Sequence, residues 1–352
     1  MALLQIVDLL KKFPIHPSGA MERVWNSLWG MGADERGEAG YLHAVDGVTF
    51  SIEAGESVGL VGESGCGKST LARLIARLQD PTSGAIAFEG RNIGGVPASR
   101  FIQGEKRRKI QMVFQDPTES LNPGFTTFRV VADPLLRLGG MRSGPELRKR
   151  VEELCNLVGL APEFLTRYPH QLSGGQKARV GIARAIALEP TLLILDEPTS
   201  ALDVSVQAVI LHLLEDLKNR LGMSYLFVSH DLNVVRLLCQ RVLVMYLGKI
   251  VEAGPTREIL RHPRHPYTRA LLSAIPAINT TERTERVRLT GEPMSPIDPS
   301  KHVCRFYSRC PRREEMCRQE MPRLTPYPGG IETACHFPLG EQENTETRMA
   351  VS

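Results

Sequence analysis

Gly62-Glu-Ser-Gly-Cys-Gly67-Lys68-Ser69-Thr70 constrains this 352-residue chain more than any other stretch. It follows a short apolar run at 58–61 and opens an amphipathic one at 69–78, so it reads as strand, tight loop and helix. It fits G-x-x-x-x-G-K-[ST] in the setting that pattern requires. Glycines let successive backbone N–H groups turn inward as an anion nest, and the helix N-terminus adds its positive dipole end. Gly62, Ser64, Gly65, Cys66, Gly67 and Thr70 therefore form the expected cradle for a nucleotide's phosphates. Lys68 would reach the β- and γ-phosphates, and Ser69 would ligate Mg²⁺.

Further apolar runs at 110–114, 192–195, 225–228 and 242–246 alternate with amphipathic stretches. Runs apolar on both faces and separated by helices indicate an α/β sheet covered on both sides. The run at 192–195 ends in Asp196-Glu197. Alone, such a pair reads as a solvated strand end. Behind a phosphate loop, Asp196 suits the Mg²⁺ shell and Glu197 suits a general base for an attacking water. Composition is otherwise ordinary, with a net charge of +4, too weak an excess to indicate nucleic-acid binding. No apolar run approaches the roughly 18 residues of a spanning helix. The start has no basic lead-in and is interrupted by Asp8, which argues against secretion. Seven Cys are too few for a disulfide scaffold of this length, so a cytosolic setting is expected.

Between 115 and 171, Pro117, Pro123, Pro134, Pro145, Pro162 and Pro169 punctuate segments of helical periodicity such as 147–158. This reads as a helical insert. Leu172-Ser173-Gly174-Gly175-Gln176 then precedes a helix-like run at 177–188, with Ser173 as its N-cap. The order of phosphate loop, Gln115 after a strand, Leu-Ser-Gly-Gly-Gln, Asp196-Glu197, Ser200-Ala-Leu-Asp203 and His230 after a strand resembles the nucleotide-binding domain of ABC transporters. The resemblance covers roughly residues 1–258. It implies an α/β P-loop NTPase core with a helical subdomain at about 116–180 and an insertion at 14–43, hydrolysing ATP with Mg²⁺.

The resemblance also assigns roles. Gln115 senses Mg²⁺ or the attacking water, and His230 contacts the γ-phosphate. Phe13 stacks on adenine, with Tyr41 as its rival; by itself an aromatic beside a strand is a core residue. Ser173, Gly174, Gly175 and Gln176 serve the nucleotide held by a facing chain, and Asp203 lies in the loop that crosses that interface. Such a composite site implies weak hydrolysis until two domains close.

Two classes share these motifs: motors docked on permeases, and ATPases that act on DNA or ribosomes. Lys68 and Ser173 are 105 residues apart, too close for a long coiled coil between them, and one copy of each motif means one cassette. Arg264-His265-Pro266-Tyr267-Thr268-Arg269-Ala270, continuing to Pro276, resembles the C-terminal extension of oligopeptide/dipeptide-type importer ATPases, as does Ala44-Val-Asp-Gly-Val48. Alone, the first segment is a helix start with Pro in its first turn. The resemblance implies a peptide-import motor, peripheral on the cytoplasmic face of the bacterial inner membrane. Its partners would be two permease subunits, an external solute-binding protein and a second ATPase subunit, self or paralogue, with no nucleic acid. Nickel, glutathione and opine importers share the extension and remain alternatives. The extension is expected over 259–340, ahead of a flexible tail at 341–352.

Cys304-x₅-Cys310-x₆-Cys317-x₁₇-Cys335 gathers soft ligands near the end of the chain. The spacing lacks the paired C-x₂-C of common zinc ribbons. Four thiolates suit a [4Fe–4S] cluster, which the resemblance also implies; zinc and free thiols stay open. Seven Lys or Arg against four Asp or Glu over 301–336 would offset thiolate charge. The segment reads as too poor in apolar residues to fold without a staple. Cys66, Cys155 and Cys239 read as ordinary small core or loop residues. Met21, Val24, Trp25, Leu28 and Trp29 share one face of a short helix in the insertion, read as a loop helix on its own domain or a membrane or permease contact.

Overall fold

Side chains of the central strands alternate between two separate cores, and that alternation sets the architecture. In the computed structural model, which describes residues 2–15, 40–102, 104–274, 289 and 291–340, β7 (Leu192–Asp196) is buried along its whole length. Leu193 and Leu195 enter one core while Leu192 and Ile194 enter the other. β8 (Ser224–Ser229) and β9 (Arg241–Tyr246) divide in the same way. Successive side chains of a strand point to opposite faces, so such strands must be covered on both sides.

The principal sheet has eight strands. Its parallel part runs β9, β3 (Ser57–Val61), β8, β7, β6 (Ile110–Val113). One face packs on helices α4 (Gly174–Ile186), α5 (Val204–Leu221) and α6 (Leu232–Leu238). The other packs on α1 (Lys68–Ile75), which is roofed by an antiparallel sheet of β1 (Ala2–Pro14), β2 (Tyr41–Glu53), β4 (Ser83–Phe88) and β5 (Arg91–Asn92). Helices α2 (Thr127–Arg137) and α3 (Pro145–Leu157) lie between β6 and α4 in sequence and share the first core. Two local readings shift. Pro134 sits inside α2 rather than breaking it. The helix expected to reach residue 78 ends at Ile75, because Arg77 adopts φ 54 and buries its guanidinium against Asp80 at 2.8 Å.

Past β10 (Lys249–Pro255) the chain does not leave the sheet. The hairpin β11 (Thr325–Tyr327) and β12 (Ile331–Thr333) pairs back onto β10, with Glu252 opposite Thr333. Helices α7 (Thr256–Arg261) and α8 (Pro266–Ser273) lie between. Fully buried Glu252 holds this region together: its carboxylate accepts from the Arg264 N–H at 2.6 Å, the His265 N–H at 3.2 Å and the Thr333 hydroxyl at 3.3 Å. His265 caps α8, its Nδ1 accepting from the Tyr267 N–H at 3.1 Å. The helix expected around Trp25 and Trp29 and the tail expected at 341–352 lie outside the described residues.

His265 gives the fold an acid limit. Burial pulls its imidazole down to about 3 from the usual 6.5, so the folded protein holds it neutral while the unfolded chain protonates it. The stabilisation is complete above pH ~6.5 and is lost as pH falls, about 2 kcal/mol by pH 5. Burial raises the Glu252 carboxyl, which acts in the opposite sense. His265→Asn keeps a cap acceptor and should flatten the decline of the thermal midpoint between pH 7 and 5. An undiminished slope in the variant would remove His265 as its source.

Candidate active site

Phosphate chemistry in open parallel sheets sits beyond the carboxyl ends of the strands, and β3 delivers the loop 62–67 there. Gly67 takes φ 108 as the N-cap of α1, and a Cβ there would stand 2.0 Å from the Ala44 carbonyl oxygen, so no other residue fits. Lys68 is 5% exposed, and its ammonium donates to the carbonyls of Gly62 at 2.8 Å and Glu63 at 2.9 Å. The loop opens onto a cavity of about 240 Å³ lined by Ser64, Gly65, Cys66, Gly67, Lys68, Ser69 and Thr70. Phe13, Leu42, His43, Ala44, Gln115, Glu197, Leu247, Gly248 and Pro296 complete its walls.

The carboxylates at the end of β7 occupy different settings. Asp196 is 2% exposed and accepts from the Ser69 hydroxyl at 3.0 Å. Burial pushes its carboxyl up, opposed by that hydrogen bond and by Arg73. A buried carboxylate beside a hydroxyl is an oxygen donor set that fits a small hard cation. Glu197 follows at φ 45, a left-handed conformation that costs roughly 1–3 kcal/mol in a non-glycine residue. Its N–H donates to the Val228 carbonyl at 3.0 Å, and its own carbonyl accepts from the Ser200 N–H at 3.2 Å and hydroxyl at 3.1 Å. Gln115 Nε2 donates to Glu197 Oε2 at 3.2 Å, and His230 Nδ1 meets the same oxygen at 3.1 Å.

Not every expected site residue joins this cavity. Ser173, Gly174, Gly175 and Gln176 open α4 away from its lining. Ser173 is exposed and forms a reciprocal cap with Gln176: the Gln176 N–H donates to Ser173 Oγ at 3.3 Å, and the Ser173 N–H to Gln176 Oε1 at 2.9 Å. Asp203 is an exposed N-cap position of α5, beside Val204 at 83% exposure. Phe13 reaches the cavity, with the Lys11 ammonium 5.0 Å from its ring, whereas Tyr41 is half-exposed and outside the lining. The residues missed from sequence are Leu42, His43, Ala44, Leu247, Gly248 and Pro296; the first two adjoin the Ala44-Val48 run that Ala44 opens, but nothing in the sequence signals Pro296.

None of the seven Cys is joined in a disulfide. Cys304 and Cys317 are joined through their backbones, N–H to carbonyl at 2.8 Å. Burial pushes Cys304 up to about 11 and Cys335 up to about 12; Cys310 and Cys317 add to both shifts, and Cys304 adds to that of Cys335. Among the described residues, no group of three or more His, Cys, Asp or Glu stands close enough to hold a metal ion. No helix among them is long and apolar enough to cross a membrane.

Fold and cavity together define a P-loop nucleoside triphosphatase. Residues 45–200 match the ABC transporter family, and residues 251–317 match the oligopeptide/dipeptide transporter C-terminal region. The oligopeptide transport ATP-binding protein AppF of Bacillus subtilis (strain 168) is 44% identical over 337 residues, covering 95% of this chain and 97% of that protein. The dipeptide transport ATP-binding protein DppF of Escherichia coli (strain K12) is 43% identical over 344 residues, covering 98% and 96%. The ATP-binding cassette MJ0796, solved as a post-hydrolysis dimer bound to ADP and Pi, superposes with a TM-score of 0.60 at 30% identity, over 72% of this chain and 99% of that one. This chain belongs to the oligopeptide/dipeptide branch of the ABC transporter ATP-binding proteins, and it is an ATPase.

Proposed function

We infer that the chain is the ATP-hydrolysing motor subunit of a peptide importer. One observation carries the chemistry: Gln115 and His230 converge on Glu197 Oε2 at the mouth of a cavity floored by the phosphate loop. The peptide assignment rests on relatives named for oligopeptide and dipeptide transport.

In this reading Phe13 stacks on the adenine, and the loop from Gly62 to Thr70 with Lys68 binds the phosphates. Ser69 and Asp196 would hold Mg²⁺, with Gln115 beside it; the ion supplies charge neutralisation at the β- and γ-phosphate oxygens. Glu197 takes the proton of the attacking water, and His230 holds the γ-phosphate. The mostly buried Glu197 carboxylate, 13% exposed, keeps that base in a partly dry site. Ser173, Gly174, Gly175 and Gln176, with Asp203, would complete the cavity of a facing ATPase subunit, a role that the exposure of Ser173, Gly174 and Asp203 permits. Two permeases and an external solute-binding protein would complete an assembly at the cytoplasmic face of the membrane. The cassette spans 1–258, with its helical subdomain at about 116–180, and the extension spans 259–340.

Cys304, Cys310, Cys317 and Cys335 would hold a [4Fe–4S] cluster. Four Cys are the usual ligand set of such a cluster; burial raises the Cys304, Cys310 and Cys335 thiols, and Arg312 and Arg313 act against the rise at Cys310. A structural role suits a segment of short strands and turns. One purification tests both readings. The tagged chain, solubilised anaerobically from membranes of its source organism, should bring down two membrane-spanning subunits, and its deletion should abolish uptake of a labelled dipeptide. The complex should be coloured and carry about four iron atoms per cluster. Recovery of ribosomes or DNA without a permease, or unchanged dipeptide uptake, would overturn the importer; a colourless zinc protein would overturn the cluster.

A further inference from the structure

Glu63, the second residue of the phosphate loop, does not line the nucleotide cavity, yet every polar group it owns is engaged. Its carbonyl accepts from the Lys68 ammonium at 2.9 Å and from the Cys66 N–H at 3.3 Å. Its N–H donates to the Tyr267 hydroxyl at 2.8 Å, and its carboxylate receives both arms of the Arg309 guanidinium, at 2.7 and 3.0 Å. Two of these partners come from beyond the cassette, Tyr267 from α8 and Arg309 from the cysteine-bearing segment.

Both are themselves fixed. Arg309 ends a 3₁₀ turn over Tyr307–Arg309, and its side chain is 12% exposed. The turn follows Phe306, which is buried against Tyr246 and Tyr267 with ring centroids 5.2 and 5.5 Å away. The hydrogen bonds to Glu63 raise the Arg309 guanidinium further above its ordinary value. A second grip lies behind the loop. Arg305 pairs with Asp46, which Lys249 also approaches at 3.3 Å. Asp46 lies two residues beyond Ala44, whose carbonyl leaves room only for glycine at position 67. The Asp46 N–H donates to the Gly248 carbonyl, and the Gly248 N–H donates to the Cys66 carbonyl, both at 2.9 Å.

We propose that Arg309 and Tyr267 are positioning residues for ATP: by holding Glu63 they keep the loop's N–H groups and Lys68 aimed at the phosphates, so the C-terminal extension sets nucleotide affinity. A planar fork on a carboxylate fixes direction as well as distance, which a lysine cannot reproduce. An anion nest binds well only while its donors stay convergent. Releasing Glu63 should therefore weaken ATP binding, while Glu197, Gln115 and His230, which the clamp does not touch, keep turnover near normal. The inference rests on the ATPase assignment.

The test uses the purified transporter complex and reads KM for ATP, kcat and the thermal midpoint. Arg309→Met should raise KM about tenfold, equivalent to about 1.4 kcal/mol, with kcat within about twofold and little change in the midpoint. Arg309→Lys should recover only part of the loss. Tyr267→Phe keeps the ring packing and should raise KM about threefold, and the double variant should fall short of the product of the two effects because both hold one residue. A KM within about twofold of wild type in both single variants would overturn the proposal. So would a parallel loss of kcat, KM and thermal midpoint in both, which would make the contacts merely structural. A wild-type complex inert toward ATP would instead remove the ATPase assignment itself.

Discussion

Glu197→Gln is expected to lower steady-state phosphate release by about 10²–10⁴-fold, the range for loss of a general base, while leaving ATP binding intact. The amide preserves the size and hydrogen-bonding reach of the side chain, so the contacts from Gln115 Nε2 and His230 Nδ1 can persist. It adds no new backbone strain, since glutamine meets the same cost at φ 45. What disappears is the ability to take a proton from water. With binding intact and cleavage blocked, ATP should hold two subunits closed, seen as a long-lived nucleotide-dependent dimer by size-exclusion chromatography. Near-normal turnover in the assembled complex would sink the base assignment.

Ser173→Arg carries the second large effect. Ser173 is exposed at the head of α4 and outside the cavity of its own chain, so the substitution should leave ATP affinity within about twofold. In the assembly the same helix end would supply donors to the opposite nucleotide, and removing such donors costs about 10²–10³ in turnover. A fluorescent ATP analogue titrated into the variant, compared with phosphate release from the complex, separates the two. If affinity and turnover fell together, Ser173 would serve its own chain's nucleotide and the composite site would be wrong.

Much of this was legible because local chemistry left local marks. The loop at 62–70 needs glycine where backbone crowds it, and strands buried on both faces appear as unbroken apolar runs. The antiparallel sheet was not legible for an equally local reason. Asp8 adopts φ 45 and donates its N–H to the Thr49 hydroxyl at 2.9 Å, so the register slips between Ile6 and Leu9 and the period of two is lost. The hairpin on β10 is only three residues a side, too short to show a period. Cavity and loop contacts from Pro296 and Arg309 left no mark at all, because a single proline or arginine in an irregular stretch looks the same whether it faces water or a phosphate loop far upstream.

The seam between Glu63 and Arg309 spans 246 positions of the chain. During synthesis the ribosome therefore finishes the phosphate loop, Glu197 and His230 well before it makes the arginine proposed to steady that loop. A nascent or prematurely terminated product would carry a slack pocket, and full competence for fuel would arrive only once residue 309 has emerged.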